Sequence, residues 1–187
     1  MATTSDISKG MFIRFNGELV QILEWEHRTP GNLRAFYQAK MRNLKNGKSA
    51  ENRFRSGETV EIVRVETKDY QYLYRDGNFL VCMDQQTYDQ INIEEHMLGD
   101  AIQFLKEEMI VTIVLEEGIT PISAELQNFV ELEVTYTEPG KKGDTATKTL
   151  KPATLETGAT IQVPLFIDTG EKIKVDTRTG AYVERVK

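Results

Sequence analysis

Between positions 28 and 55, eight basic side chains meet a single acid. Arg28, Arg34, Lys40, Arg42, Lys45, Lys48, Arg53 and Arg55 stand against Glu51 alone. Guanidinium and ammonium groups at this density suit phosphate, and polyphosphate ligands follow a local field of this kind rather than a chain's net charge. The first two arginines bracket the segment His27-Arg28-Thr29-Pro30-Gly31-Asn32-Leu33-Arg34. Pro30-Gly31 is a turn signal, because proline presets one backbone angle and glycine permits a positive one after it. A projecting loop is expected, with Asn32 near its apex and the two arginines on its flanks. The chain offers little other chemistry. One cysteine, Cys82, and two histidines, His27 and His96, give no metal-ligand spacing. There is no Gly-rich phosphate loop and no GxSxG. No metal, no cofactor and no enzymatic activity are expected.

Charge divides unevenly along the 187 residues, which carry 23 Lys+Arg and 29 Asp+Glu, net -6. Residues 1–65 are net +4, residues 66–128 net -10 and residues 129–187 net 0. The acidic total alone argues against nucleic acid; the basic first block argues for it. The acidic middle block should be repelled by phosphate, and so should face protein or limit non-specific RNA binding. No run approaches the ~18 apolar residues of a membrane span, and MATTSDISKG lacks a signal-peptide core. Cys82 lies in the apolar run Phe79-Leu80-Val81-Cys82-Met83 and cannot form an internal disulfide. A buried thiol in a reducing cytoplasm is expected.

The elements that must position the loop read as short strands. Met11–Phe15 leads into the hairpin signal Asn16-Gly17. Glu18–Glu26 then climbs to the loop and Phe36–Leu44 returns, with Tyr37, Ala39 and Met41 on one face and Gln38, Lys40 and Arg42 on the other. Ala50–Arg55 and Thr59–Val65 complete a small closed β-barrel. In the second block Tyr70, Tyr72 and Tyr74 alternate on one face of a strand, and Asp76-Gly77 turns the chain into Phe79–Met83. Glu94–Leu105 is the best helix candidate, with Met97, Ala101, Phe104 and Leu105 at helical spacing. Met109–Leu115 and Ile119–Glu125 follow, and the block suits an OB-like barrel. The third block holds Phe129–Thr137, a Gly/Lys/Thr-rich loop over Pro139–Leu150, then Thr160–Ile167, Lys172–Asp176 and Tyr182–Val186, and reads as a further small barrel.

The string KPATLETGATIQVPLFIDTGEKIKVDTRTGAYVERVK, Lys151 to Lys187, closely resembles the C-terminal signature of bacterial elongation factor P. Lys151, Ala153, Gly158, Val163-Pro164 and Gly170 fall at that family's spacing. The Pro30-Gly31 loop, the Leu44–Gly47 turn and the Tyr72-Leu73-Tyr74-Arg75-Asp76-Gly77 hairpin extend the resemblance over the whole chain. It implies an all-β fold with one short helix: three small β-barrels in an L. An SH3-like (KOW-type) domain over 1–65 would be followed by OB-type domains over 66–128 and 129–187. It also implies a monomeric, cytoplasmic translation factor that mimics tRNA and relieves ribosome stalling at consecutive prolines. Its expected partners are the 70S ribosome, peptidyl-tRNA of prolyl and initiator type, and mRNA at the exit site, without a membrane.

The same resemblance places Arg28, Thr29, Pro30, Gly31, Asn32, Leu33 and Arg34 at the peptidyl-transferase centre. Lys40, Arg42, Lys45, Lys48, Arg53 and Arg55 are placed on tRNA or rRNA backbone. Gly143, Asp144 and Thr145 correspond to the loop that reaches the exit-site codon, and Tyr182 and Arg185 to small-subunit contacts. The elongation-factor-P-like paralogue is the alternative within the family, and it usually lacks the Gly-Asp-Thr sequence found here. A free single-stranded-RNA binder of OB type is the alternative outside it. In the family the loop tip usually carries a lysine or arginine that receives a covalent extension. Aligned without gaps, that position is Asn32, whose amide has no amine or guanidinium to extend, so an unmodified tip is expected.

Overall fold

A computed structural model describes residues 2–140 and 150–186. Almost all of its regular structure is β. The first sheet contains β1 (Ala2–Thr3), β2 (Phe12–Phe15), β3 (Glu18–Arg28), β4 (Phe36–Asn43), β5 (Ser49–Arg55) and β6 (Thr59–Val63), in the order β1-β6-β2-β3-β4-β5. Its register begins at Asn16-Gly17, where both residues take positive φ (52° and 77°) and Phe15 pairs with Glu18. That is the two-residue hairpin the dipeptide favours, because its twist matches that of the flanking strands. Ile13, Val20, Ile22, Ala39, Met41, Phe54 and Val60 form the buried core, with Phe15, Trp25 and Tyr37 packed against it.

The second sheet contains β7 (Val65–Asp76), β8 (Phe79–Asp84), β9 (Gln90–Glu94), β10 (Ile110–Glu116) and β11 (Thr120–Leu126), in the order β11-β10-β7-β8-β9. The third contains β12 (Phe129–Thr137), β13 (Leu150–Leu155), β14 (Thr160–Pro164), β15 (Lys172–Asp176) and β16 (Ala181–Arg185), in the order β14-β13-β12-β15-β16. By compactness the chain forms two units, Met1–Lys68 with Ile113–Ser123 and Asp69–Thr112 with Ala124–Lys187. Cys82 is fully buried, and desolvation pushes its thiol up to about 11. Among the described residues no helix is long and apolar enough to cross a membrane.

Several expected elements differ from those observed. The segment expected as one amphipathic helix is a pair of 3₁₀ turns over Glu95–Phe104, broken at Gly99, whose φ of 54° and ψ of -140° are open only to glycine. Leu98 and Phe104 are its buried residues, while Met97, Ala101 and Leu105 are only half-buried. The tyrosine stripe also breaks. Tyr72 pairs with Cys82 but Tyr74 pairs with Val81, so Leu73 is an extra residue on the strand. The bulge rotates Tyr74 outward, leaving Tyr70 and Tyr72 buried and Tyr74 exposed. β9 and β13 were not expected as strands. Pro152 sits within β13 without breaking it, because pairing with β12 ends at Ala153 opposite Thr137.

Candidate nucleic-acid interface

The β3–β4 hairpin carries the candidate loop. β3 runs to Arg28, two residues beyond its expected end, and Arg28 pairs with Phe36 at the start of β4. Residues 29–35 therefore span the tip. Leu33 N–H donates to the Pro30 carbonyl at 3.1 Å, so Gly31 and Asn32 are the central turn residues. This corrects the expected turn, which put a positive φ at Gly31. Pro30 opens the turn instead of occupying its second position, and Gly31 is absent from the left-handed set. Asn32 is nonetheless at the apex, exposed beside the exposed Leu33.

The inner face of the hairpin is an aromatic ladder. Trp25 stacks on Tyr37 with centroids 5.2 Å apart, and His27 stacks on the same tyrosine at 4.6 Å. Phe54 lies 5.3 Å from Trp25 and meets Phe15 edge-on at 5.5 Å. Each such pair contributes ~0.5–1.5 kcal/mol beyond its buried area. The ladder runs from the core through Trp25 and Tyr37 to the exposed His27, one residue short of Arg28 at the root of the tip loop.

The outer face holds the charges, and strand register arranges them in rows. Arg28, Phe36 and Arg55 form the row nearest the loop. Glu26, Gln38 and Arg53 form the next, then Glu24, Lys40 and Glu51, then Gln21, Arg42 and Ser49. Side chains at paired positions share a face, so Lys40, Arg42, Arg53 and Arg55 lie together on one surface. The field is nevertheless less basic than the sequence run implies. Glu24 and Glu26 precede that run in sequence but lie inside it in space. Lys40 sits between two glutamates, with its Nζ 3.4 Å from a Glu24 carboxylate oxygen. Arg28 donates from Nη2 and Nε to Glu26 Oε2 at 2.8 and 3.2 Å. Arg53 donates from Nε to Gln38 Oε1 at 3.1 Å and its guanidinium lies 5.1 Å from the Phe36 ring centre. Arg34 is exposed and makes no ion pair among the described residues. The basic end of the face is thus Arg28, Arg53 and Arg55 below the loop, with Arg34 on it.

Lys45 and Lys48 are not part of that end. They lie on the exposed turn after β4, whose eight residues separate them from the loop by roughly 25 Å at the usual rise per strand residue. In the third sheet Tyr182 is half-buried, and burial raises its phenol above the ordinary value. Arg185 is exposed and donates from Nη1 to Glu171 Oε1 at 2.9 Å. Glu171 titrates below the usual carboxylate range because its other oxygen accepts the Asp168 N–H, with Arg185 adding to the effect. Gly143, Asp144 and Thr145 lie outside the described residues. Among the described residues no group of three or more His, Cys, Asp or Glu could hold a metal ion.

Gln38 was expected on the face of Lys40 and Arg42 but without a role in the site, and Phe36, Glu24 and Glu26 were not expected there. The same alternation, extended back to Phe36, was the available signal for that residue. The glutamates required the β3 register, which a bulge between Ile22 and Glu24 shifts.

Three family models match the chain in succession. They describe an elongation factor P KOW-like domain at residues 3–60, an elongation factor P OB domain at 65–123 and an elongation factor P C-terminal domain at 130–185. Elongation factor P of Chloroherpeton thalassium is 55% identical over 187 residues, covering 100% of both chains. That of Amoebophilus asiaticus is 50% identical over 187 residues, covering 100% of this chain and 98% of the relative. The Chloroflexus aurantiacus protein of the same name is 48% identical over 185 residues, covering 98% of each. Among solved structures, a translation initiation factor eIF-5A family protein from Naegleria fowleri superposes with a TM-score of 0.54 at 14% identity, covering 67% of this chain and 96% of that one. The last likeness speaks for the fold alone.

Proposed function

This chain belongs to the elongation factor P family, and we propose that it binds the 70S ribosome beside the peptidyl-tRNA and relieves stalling at consecutive prolines. The family is one of translation factors, built from a KOW-like domain and OB-type domains. The observation that carries the finer reading is the row structure of the β3–β4–β5 face. Arg28, Arg53 and Arg55 gather at the root of a loop whose apex is a small neutral amide. Such a surface can lie along an RNA backbone while the loop reaches past it.

The ribosome performs the chemistry in this reading, and the factor supplies order. Proline is a stiff and poor nucleophile, so part of the barrier is placement of the reactants. Proximity and orientation are worth ~7–11 kcal/mol in the best intramolecular cases, and ordering the peptidyl-tRNA recovers a share of that. Arg34 and the arginines of the first two rows hold phosphate; Pro30 restricts the loop and lowers its ordering cost on binding. Residues 1–65, 66–128 and 129–187 act as three domains of a cytoplasmic monomer. The first lies on the acceptor arm of peptidyl-tRNA of prolyl or initiator type, and the last sits on the small subunit through Tyr182 and Arg185. Gly143, Asp144 and Thr145 read the exit-site codon.

Co-sedimentation separates this reading from a free RNA binder. The protein should pellet with 70S ribosomes carrying peptidyl-tRNA, and bind an isolated single-stranded RNA oligomer far more weakly. Tight binding to the oligomer with no ribosome association would overturn it.

A further inference from the structure

We infer that Phe166 and Arg185 together form a stacking site for one unpaired RNA nucleotide, a deepening that rests on the proposed small-subunit contact. Phe166 follows β14 in a surface turn and is 61% exposed, although its neighbour Ile167 is completely buried. A phenyl ring so exposed is not explained by the core. Half-buried Pro164 and Leu165 precede it, and the residues that follow Ile167 are mostly polar: Asp168, Thr169, Glu171 and Lys172. A ring that has a guanidinium and its carboxylate partner beside it differs from the charge-depleted centre of a protein–protein interface.

Arg185, on β16, brings its guanidinium to 5.9 Å from the Phe166 ring centre, at the outer limit of a cation–π contact. Glu171 fixes that arginine from the other side. Its Oε1 accepts Arg185 Nη1 at 2.9 Å and its Oε2 accepts the Asp168 N–H at 2.9 Å. One carboxylate thereby ties the arginine to the loop that carries the phenylalanine. Among the described residues Arg185 donates one side-chain hydrogen bond, to Glu171, and guanidinium has five N–H groups. The rest can reach a phosphate or a base edge.

A further aromatic–arginine pair, between Phe129 on β12 and Arg178 in the turn after β15, is built differently. Arg178 lies 5.4 Å from the Phe129 ring, but Asp176 binds it through both carboxylate oxygens, at 3.0 and 2.8 Å. Its fork is occupied within the protein. Among the described residues the pair at Phe166 keeps an exposed ring and a guanidinium bonded through one nitrogen only, the two groups that unpaired RNA uses: a π-face for the base and a planar cation for its phosphate. Glu171 is a positioning residue here.

The test uses full-length protein and 70S ribosomes carrying peptidyl-tRNA, both from its own host. Phe166→Leu keeps apolar bulk but removes the π-face, and should weaken binding about 5- to 150-fold. Phe166→Tyr should bind within a few-fold of the parent. Phe166→Trp supplies a reporter, and its added emission over that of Trp25 should be quenched on binding, as a base stacks on the indole. A blue shift without quenching would mean a protein surface covers the ring, and would overturn the inference. So would parental affinity in a folded Phe166→Leu variant. Failure of the unsubstituted protein to bind ribosomes would instead remove the proposed function itself.

Discussion

Replacing Arg53 and Arg55 together by glutamine should flatten the salt dependence of ribosome binding, whereas Lys40→Gln should barely change it. The rows on the outer face give the reason. Arg53 and Arg55 occupy the two rows nearest the tip loop, facing Gln38 and Phe36 across the register. Lys40 faces Glu24 and Glu51, so an approaching phosphate there meets two negative charges and one positive. Each lost phosphate contact lowers the slope of log affinity against log salt by about 0.7–0.9. Two contacts amount to about 1.4–1.8. Between 50 and 200 mM salt, the deficit of the double variant should then shrink by about tenfold. The assay is ribosome co-sedimentation at several salt concentrations, with circular dichroism to show that the β spectrum is retained. A folded double variant with an unchanged slope would refute phosphate contact by these arginines. A Lys40→Gln variant that flattens the slope as much as the pair would refute the row assignment.

Gly31→Ala should fold and function, because no atom lies within 4 Å of the added methyl and the backbone is not left-handed there; thermal melting should show a gain of up to ~1 kcal/mol. Gly140→Ala should destabilise by ~1–3 kcal/mol in the same assay, because its Cβ would lie 2.8 Å from the Leu165 carbonyl oxygen. Intact mass of protein from its own host should show no group added at Asn32, and Arg34→Ala should cost more proline-dependent synthesis than Asn32→Ala; a mapped adduct, or abolition by Asn32→Ala alone, would reverse these expectations. Cys82 binds its proton more tightly in the fold than in the unfolded chain, from 9.0 to about 11. Its contribution is therefore complete below pH 9 and lost as pH rises to about 11. Cys82→Ala should remove that part of the alkaline decline in denaturant titrations.

Much of this fold could be read from local chemistry. Asn16-Gly17 gave the first hairpin because both positive φ angles fall on residues that accept them. The alternation of Tyr37, Ala39 and Met41 placed one face of β4 in the core, and Ala39 and Met41 are there, buried. Phe129–Thr137 and Lys172–Asp176 were bounded without error. The misreadings arose where neighbours in space override neighbours in sequence. Leu73 is an extra residue only because β8 sets the count on the other strand, so period-two reasoning carried Tyr74 to the wrong side. Gly99 breaks a helical spacing that otherwise fits Met97, Ala101 and Phe104. In the candidate site the loop and its arginines were legible. The opposing Glu24 and Glu26 were not, since they join the basic face only through pairing of β3 with β4. Phe166 gave no signal, because VPLFI reads as one apolar run until Phe166 and Ile167 point in opposite directions.

Translation of a polyproline template in a purified system, with and without this protein, tests the proposed function most directly. Addition of the unmodified protein should raise full-length product from the polyproline template and leave a proline-free template unchanged. Equal full-length yield from the polyproline template in both reactions would contradict it.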